Sequence, residues 1–378
     1  MSEARAPTKP SRPDSRPHGR RGASGEATCY AALDLGTNNC RLLIAKPAGR
    51  GFRIVEAFSR IVRLGDGLSR TGRLDADAMD RALAALRICA DKVERRQAVR
   101  IRAVATQACR AAENGADFIA RVERETGLKL QVITPKEEAR LSVAGCANLI
   151  DHSADAALVI DVGGGSTELS WLDLRGGALR RDPAMSRIPV QAWLSVPIGV
   201  VTLAERFPEP QPTSDAWFRA MVEHVRAQID AFPHAELLRP VFADGRGHLV
   251  GTSGAITSLA GLHLGLHRYD RAQVDGLWLE HADCTAVVDR LMRLSPRGRA
   301  AQPCIGPDRA DLVLAGAAIL QAVQEAWPCE RVRVADRGLR EGILLSLIAE
   351  GGRSPRRRYR GDRRAAQARA ANPATGAT

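Results

Sequence analysis

The chain has 378 residues, a formal net charge of +12, 45% apolar residues and only 4% aromatic ones. No stretch approaches the roughly 18 consecutive apolar residues of a membrane span. No apolar segment follows the basic N-terminus as in a secretory signal, so a soluble, cytoplasmic protein with no membrane contact is expected.

Most of the charge lies at the ends. Residues 1–27 carry six Lys/Arg against three acids, and residues 351–378 carry eight Arg against Asp362. Both segments are rich in Pro, Gly, Ala and Ser, so burial cannot offset their ordering entropy and disordered basic tails are expected. Residues 28–350 are then nearly neutral, and the basic balance of the chain says nothing about a catalytic surface. That remainder exceeds what one hydrophobic core usually supports, so two domains are expected. The eight cysteines (29, 40, 89, 109, 146, 284, 304, 329) form no C-x-x-C pair and have no histidine at ligand spacing. The pattern fits a reducing compartment and argues against zinc. Cys40 and Cys109, near candidate site residues, read as small buried filler, with a redox sensor as the alternative.

In chain order, Cys29–Asp34 and Cys40–Ala45 read as strands flanking a Gly turn, with Phe52–Arg60 a third antiparallel strand. Asp75–Arg95 has apolar residues at helical spacing, Val99–Ala105 reads as a strand, and Ala116–Thr126 as a helix stopped by Gly127. Leu128–Thr134 is a further strand, and Pro135 suits the first position of a helix opening at Lys136. The second half repeats the plan: strands at Ala157–Asp161, Thr167–Leu172 and Val190–Pro197, then helices at Thr202–Arg206 and Ser214–Phe232. A short strand at His248–Val250 enters Gly251-Thr252-Ser253-Gly254, and a helix starts at Ala255. Asp311–Glu325 (helix), Arg331–Val334 (strand) and Leu339–Ala349 (helix) complete a duplicated α/β arrangement with a cleft between its halves.

The candidate chemistry lies where the repeats coincide. Leu33-Asp34-Leu35-Gly36-Thr37-Asn38-Asn39-Cys40-Arg41-Leu42 can be laid over Ile160-Asp161-Val162-Gly163-Gly164-Gly165-Ser166-Thr167-Glu168-Leu169. In each, a strand ending in Asp enters a Gly turn whose backbone N–H groups can converge on an anion. Asp161 and Glu168 are spaced to coordinate a hard cation such as Mg²⁺ beside phosphate oxygens. The alternative is a turn Asp and a solvated strand-end Glu. Gly251–Gly254 precedes a helix N-terminus, a ready anion site, or else an ordinary cap on Ser253. Glu137 and Glu138 open a helix where the halves meet, and either carboxylate is placed to accept a proton from water; capping and the helix dipole would explain the pair equally. Arg110 follows a strand and suits phosphate oxygens, but Arg outnumbers Lys fifty to five, so any single Arg is a poor marker.

Taken together, Asp34-Leu35-Gly36-Thr37-Asn38, Ala105-Thr106 with Arg110 and Asn114, Glu137 to Leu141, Asp161 to Leu169, Pro197 to Thr202, Gly251 to Gly254 and Ala335 to Gly342 resemble the exopolyphosphatase / guanosine pentaphosphate phosphohydrolase family. The resemblance spans nearly all of 28–350. It implies two duplicated actin-like (ribonuclease H-like) α/β domains around an interdomain cleft, domain I from 28–136 plus 336–350 and domain II from 137–335. It further implies Glu138 as the base that activates water, Asp161 and Glu168 as Mg²⁺ ligands, and Arg110 as a phosphate contact. Gly36, Thr37, Asn38, Gly164, Gly165, Ser166, Thr252, Ser253 and Gly254 would line the phosphate path. The expected activity is a Mg²⁺-dependent release of terminal phosphate from polyphosphate, with pppGpp as the alternative substrate. Long family members add a C-terminal helical domain that this sequence lacks, which favours short polyphosphate or pppGpp. A homodimer is an expectation at the level of the family. Two other classes remain open: a nucleotide-dependent binding module of the actin type, and a polyanion or RNA binder acting through the basic tails.

Overall fold

The computed structural model describes residues 28–49, 51–175, 190–231, 236 and 239–352. The expected disorder of the tails, and their expected polyanion contacts, lie outside these residues, except that the last helix runs on to Gly352. No helix among the described residues is long and apolar enough to cross a membrane.

Two sheets carry the fold. The first contains β1 (Tyr30–Leu35), β2 (Asn39–Ala48), β3 (Gly51–Ile61), β4 (Arg100–Ala105) and β5 (Leu130–Val132) in the order β3-β2-β1-β4-β5. The second contains β6 (Ala156–Val162), β7 (Thr167–Asp173), β8 (Val190–Val196), β9 (Gly247–Thr252), β10 (Trp278–Glu280) and β11 (Arg331–Ala335) in the order β10-β11-β9-β6-β7-β8. In each, three antiparallel strands lead into a parallel pairing with the first strand: β1 with β4, and β6 with β9. Apart from the added edge strand β10, the second sheet repeats the first, and the chain has the duplicated, actin-like α/β fold.

Local chemistry sets the helix ends. Asp75 accepts from the N–H groups of Asp77 and Ala78 to open Ala76–Arg95, and Gly127, at φ 70°, closes Gly115–Thr126. Thr134 caps Pro135–Cys146, with Pro135 at its first position. The turn after β4, from Gln107 to Ala111, is a short helix. Three residues of β10 are too few for an alternating pattern to show, and no strand was expected there.

Each sheet buries its outer face under its own helices, while two helices fill the space between the sheets. Leu339, Ile343, Leu344 and Leu347 of the Leu339–Gly352 helix pack against Tyr30, Ala32 and Leu43 of the first sheet. Val143 and Cys146 of the Pro135–Cys146 helix pack against Ala157, Val159 and Val250 of the second. These two helices cross each other where Gly145 meets the carbonyl of Gly338 and Gly342 meets that of Leu141.

The two halves also touch at one rim. Arg63 Nη1 and Nη2 donate to Asp311 at 3.0 and 3.2 Å, and the Gly67 N–H donates to Glu205 at 2.7 Å. On its other side the same loop holds the first Gly turn. The N–H groups of Val62, Arg63 and Gly65 donate to the carbonyls of Asn38, Asn38 and Thr37.

Candidate active site

A cleft of about 520 Å³ opens between the two halves and is lined by segments of both. Gly36, Thr37 and Asn38 of the first turn line it, with Gly164, Gly165 and Ser166 of the second and Thr252, Ser253 and Gly254 at the start of the Gly254–His263 helix. Asp161 and Glu138 lie on the same wall. Arg110 and Glu168 stand behind it, in contact with residues that do reach the cleft.

The two Gly turns face each other at contact distance. A Cβ on Gly164 would lie 3.0 Å from the Thr37 Cβ, and one on Gly165 would lie 2.8 Å from the Thr37 Oγ1. Only glycine permits this approach. Behind the second turn, Val200 and Val201 N–H groups donate to the carbonyls of Gly163 and Gly164 at 3.0 and 2.8 Å. The carbonyls are thereby turned away. The N–H groups of Thr37, Asn38, Gly164 and Gly165 donate to no described acceptor. All four residues line the cleft, so their N–H groups can converge on an anion there.

Cations converge on the third loop. The Gly254 Cβ position lies 3.8 Å from the Arg41 Nη2 and 3.7 Å from the Arg309 Cζ. Neither guanidinium has a carboxylate within ion-pair distance among the described residues. Together with the positive end of a ten-residue helix they give a second anion-accepting surface. Sequence reasoning missed both, because an Arg-rich chain hides them. A signal existed for Arg41, which occupies in the first repeat the position Glu168 holds in the second: Asp34 pairs with Arg41 across β1–β2, and Asp161 with Glu168 across β6–β7.

Buried acids form the floor. Glu138 is 8% exposed and Glu168 2%. The Glu138 carboxyl is raised well above the usual carboxylate range, by burial first and then by the charges of Glu168, Asp161 and Asp34, against the pull of Arg110. Burial, then Asp161, raises Glu168 to about 7. Burial raises Asp34 to about 6 despite Arg41 and Arg340, and burial raises Asp161 too. Ser142 donates to Asp161, and Ser195 donates to Glu168 at 2.8 Å. Arg110 is committed: Nη1 donates to Glu138 Oε2 at 3.2 Å and to the Ile133 carbonyl at 2.7 Å, and Nε and Nη2 both donate to the Gln107 Oε1.

These groups fit a hard divalent ion. The Oδ1 atoms of Asp34, Asn38 and Asn39 are buried without a hydrogen-bond partner, and the clustered acids repel one another unless a proton or cation intervenes. Among the described residues no three Asp, Glu, His or Cys side chains form a ready-made metal cage. Mg²⁺ needs only one or two carboxylates beside phosphate oxygens and water, a number that Asp161 and Glu168 would supply.

The raised carboxyls have a consequence for stability. The folded protein holds the Asp34 proton up to about pH 6, whereas the unfolded chain releases it near 3.8. Stability therefore falls as pH rises through this window, by about 3 kcal/mol for this one group. The metal-free protein is expected to melt at a lower temperature at pH 8 than at pH 5. Mg²⁺ should raise the melting temperature at pH 8 far more than at pH 5, as thermal melts at both pH values with and without the ion will show.

The sequence profile of the Ppx/GppA phosphatase family matches residues 43–350. A relative from Mycobacterium tuberculosis named exopolyphosphatase 2 is 31% identical over 334 residues, covering 85% of this chain and 98% of the relative. Among solved structures, an exopolyphosphatase-like protein is 32% identical with a TM-score of 0.73, over 84% of this chain and 98% of that one. The Ppx/GppA family member of Aquifex aeolicus is 28% identical with a TM-score of 0.69, over 86% and 99%.

Proposed function

The chain belongs to the Ppx/GppA phosphatase family, and on that premise we propose that it is a Mg²⁺-dependent exopolyphosphatase, releasing the terminal phosphate of inorganic polyphosphate as Pi. The observation that carries this reading is the pairing of two opposed Gly turns, with their unpaired N–H groups, and a floor of buried acids that includes Glu138.

In this reading the turn amides of Thr37, Asn38, Gly164 and Gly165 receive the oxygens of the terminal phosphoryl group. Arg41 and Arg309 take the next phosphates of the chain beside Gly254. Asp161 and Glu168, with the unpartnered Asp34 oxygen near them, would hold Mg²⁺, which supplies charge neutralisation for the phosphate oxygens when bound. Glu138 accepts the proton of the attacking water; its raised carboxyl makes it a stronger base than an ordinary glutamate once ionised. Arg110 keeps that carboxylate in place through its 3.2 Å bond. Phosphoryl transfer needs little more from a protein than positioning and charge stabilisation.

The wall chemistry favours polyphosphate over a nucleotide. Among the described lining residues Tyr269 is the one aromatic ring, and the rest of the wall is mainly glycine, arginine and small polar groups. Such a wall offers phosphates many partners and a guanine base few stacking surfaces.

The test is Pi release from polyphosphates of several lengths and from pppGpp, with Mg²⁺ and with a chelator. Metal-dependent release from polyphosphate is expected to exceed release from pppGpp. Greater turnover of pppGpp would reassign the substrate, and no release from either would end the hydrolase reading.

A further inference from the structure

Gln107 opens the short helix after β4 and lines the cleft, and its orientation is fixed by the partner of Glu138. We propose that Gln107 is a water-orienting residue of this site, its side-chain amide holding the attacking water against the Glu138 carboxylate. The inference rests on the polyphosphatase reading above and deepens it.

The argument begins with one guanidinium. Nε and Nη2 of Arg110 both donate to the Gln107 Oε1, at 3.1 and 2.7 Å. Flipping that amide would set its NH₂ against two N–H donors, so the carbonyl end faces Arg110 and the NH₂ end faces away. No described acceptor takes the NH₂. The remaining Arg110 nitrogen, Nη1, donates to Glu138 Oε2 at 3.2 Å. A single planar guanidinium thus holds the Gln107 carbonyl and the Glu138 carboxylate together. The stem of Gln107 lies against the second Gly turn: a Cβ on Gly165 would be 3.1 Å from the Gln107 Cγ. The Gln107 side chain therefore leaves the backbone beside the turn whose amides, on the reading above, receive the terminal phosphoryl group.

A water between the two accepts an N–H from Gln107 and donates an O–H to Glu138, leaving a lone pair for phosphorus. As its oxygen bonds to phosphorus, the bridging P–O bond breaks. The water proton passes to Glu138, and the shortened chain leaves with the bond's electron pair on its oxygen. Orientation of attacking water by a glutamine amide is a known device in phosphoryl transfer.

Two variants test the idea. Gln107→Met removes the amide at similar volume; Gln107→Glu keeps the oxygen that Arg110 grips and replaces the donor with a charged acceptor. Both should lower kcat for Pi release about 100–1,000-fold with KM changed by less than about threefold, Gln107→Met at an unchanged melting temperature. As pH falls, Gln107→Glu should recover relative to wild type, because a protonated carboxyl donates again, while Gln107→Met should not. A folded Gln107→Met with kcat within about twofold of wild type would overturn the inference. Should that variant fail to fold, a Gln107→Glu enzyme with wild-type kcat and no pH-dependent ratio overturns it alone. A wild-type protein that releases no Pi from polyphosphate defeats the functional reading itself, and the inference with it; an active wild type matched by both variants defeats only the inference.

Discussion

Glu138→Gln is expected to give a folded protein whose Pi release from polyphosphate is slower by about 10²–10⁴. The carboxylate is 8% exposed, lies on the cleft wall, and is held by Arg110 at 3.2 Å. An amide preserves the shape and can still accept from Arg110, but it cannot take a proton from water. The same substitution should not weaken the fold. Burial and three neighbouring acids disfavour the charged carboxyl, so a neutral isostere removes repulsion. The melting temperature of the metal-free variant at pH 8 should therefore equal or exceed that of wild type. Steady-state Pi release paired with thermal melts separates the two effects. Wild-type turnover in a stable Glu138→Gln protein would remove Glu138 from the chemistry.

The largest expected loss of stability is at the crossing of the two inner helices. A Cβ on Gly342 would lie 2.0 Å from the Leu141 carbonyl oxygen, and one on Gly145 would lie 1.9 Å from that of Gly338. Both obstacles are backbone, so no side chain can swing aside, and the helices must separate. Overpacking of this kind costs about 1–3 kcal/mol or more. Gly342→Val should lower the melting temperature by about 2–12 °C, given some 2–4 °C per kcal/mol for a domain of about 150–250 residues. Glu138 lies on one of these helices, so what folds should also turn over slowly. Thermal melts of Gly342→Val and Gly145→Val will measure the loss, and an unchanged midpoint in both would mean that the helices are free to move apart.

Much of this architecture was legible in the chain. The two Asp-x-Gly turns, the Pro135 helix start and the Gly127 stop are local signals with local causes, and the strands and helices they delimit lie within a few residues of their expected bounds. The folding of the last helix onto the first sheet depends on Leu339, Ile343 and Leu344 meeting Tyr30 and Leu43, a pairing that no local pattern encodes. The same holds for the rim, where Arg63 meets Asp311 across the cleft. Arg41 and Arg309 stayed hidden among fifty arginines until the fold brought them together over Gly254. Gln107 gave no signal, since its meaning comes only from the guanidinium three residues on.

The duplicated frame has one further consequence. An unbranched phosphate polymer reads the same from either end, and two identical half-sites would seat it in both senses. The repeats differ in sign at one matched place: Arg41 opposite Asp34 in one, Glu168 opposite Asp161 in the other. On the polyphosphatase reading proposed above, that single exchange would give the cradle a direction: the arginine side would attract the trailing phosphates, the doubly acidic side would admit them only together with a counter-ion, and the enzyme rather than the substrate would tell the head of the polymer from its tail.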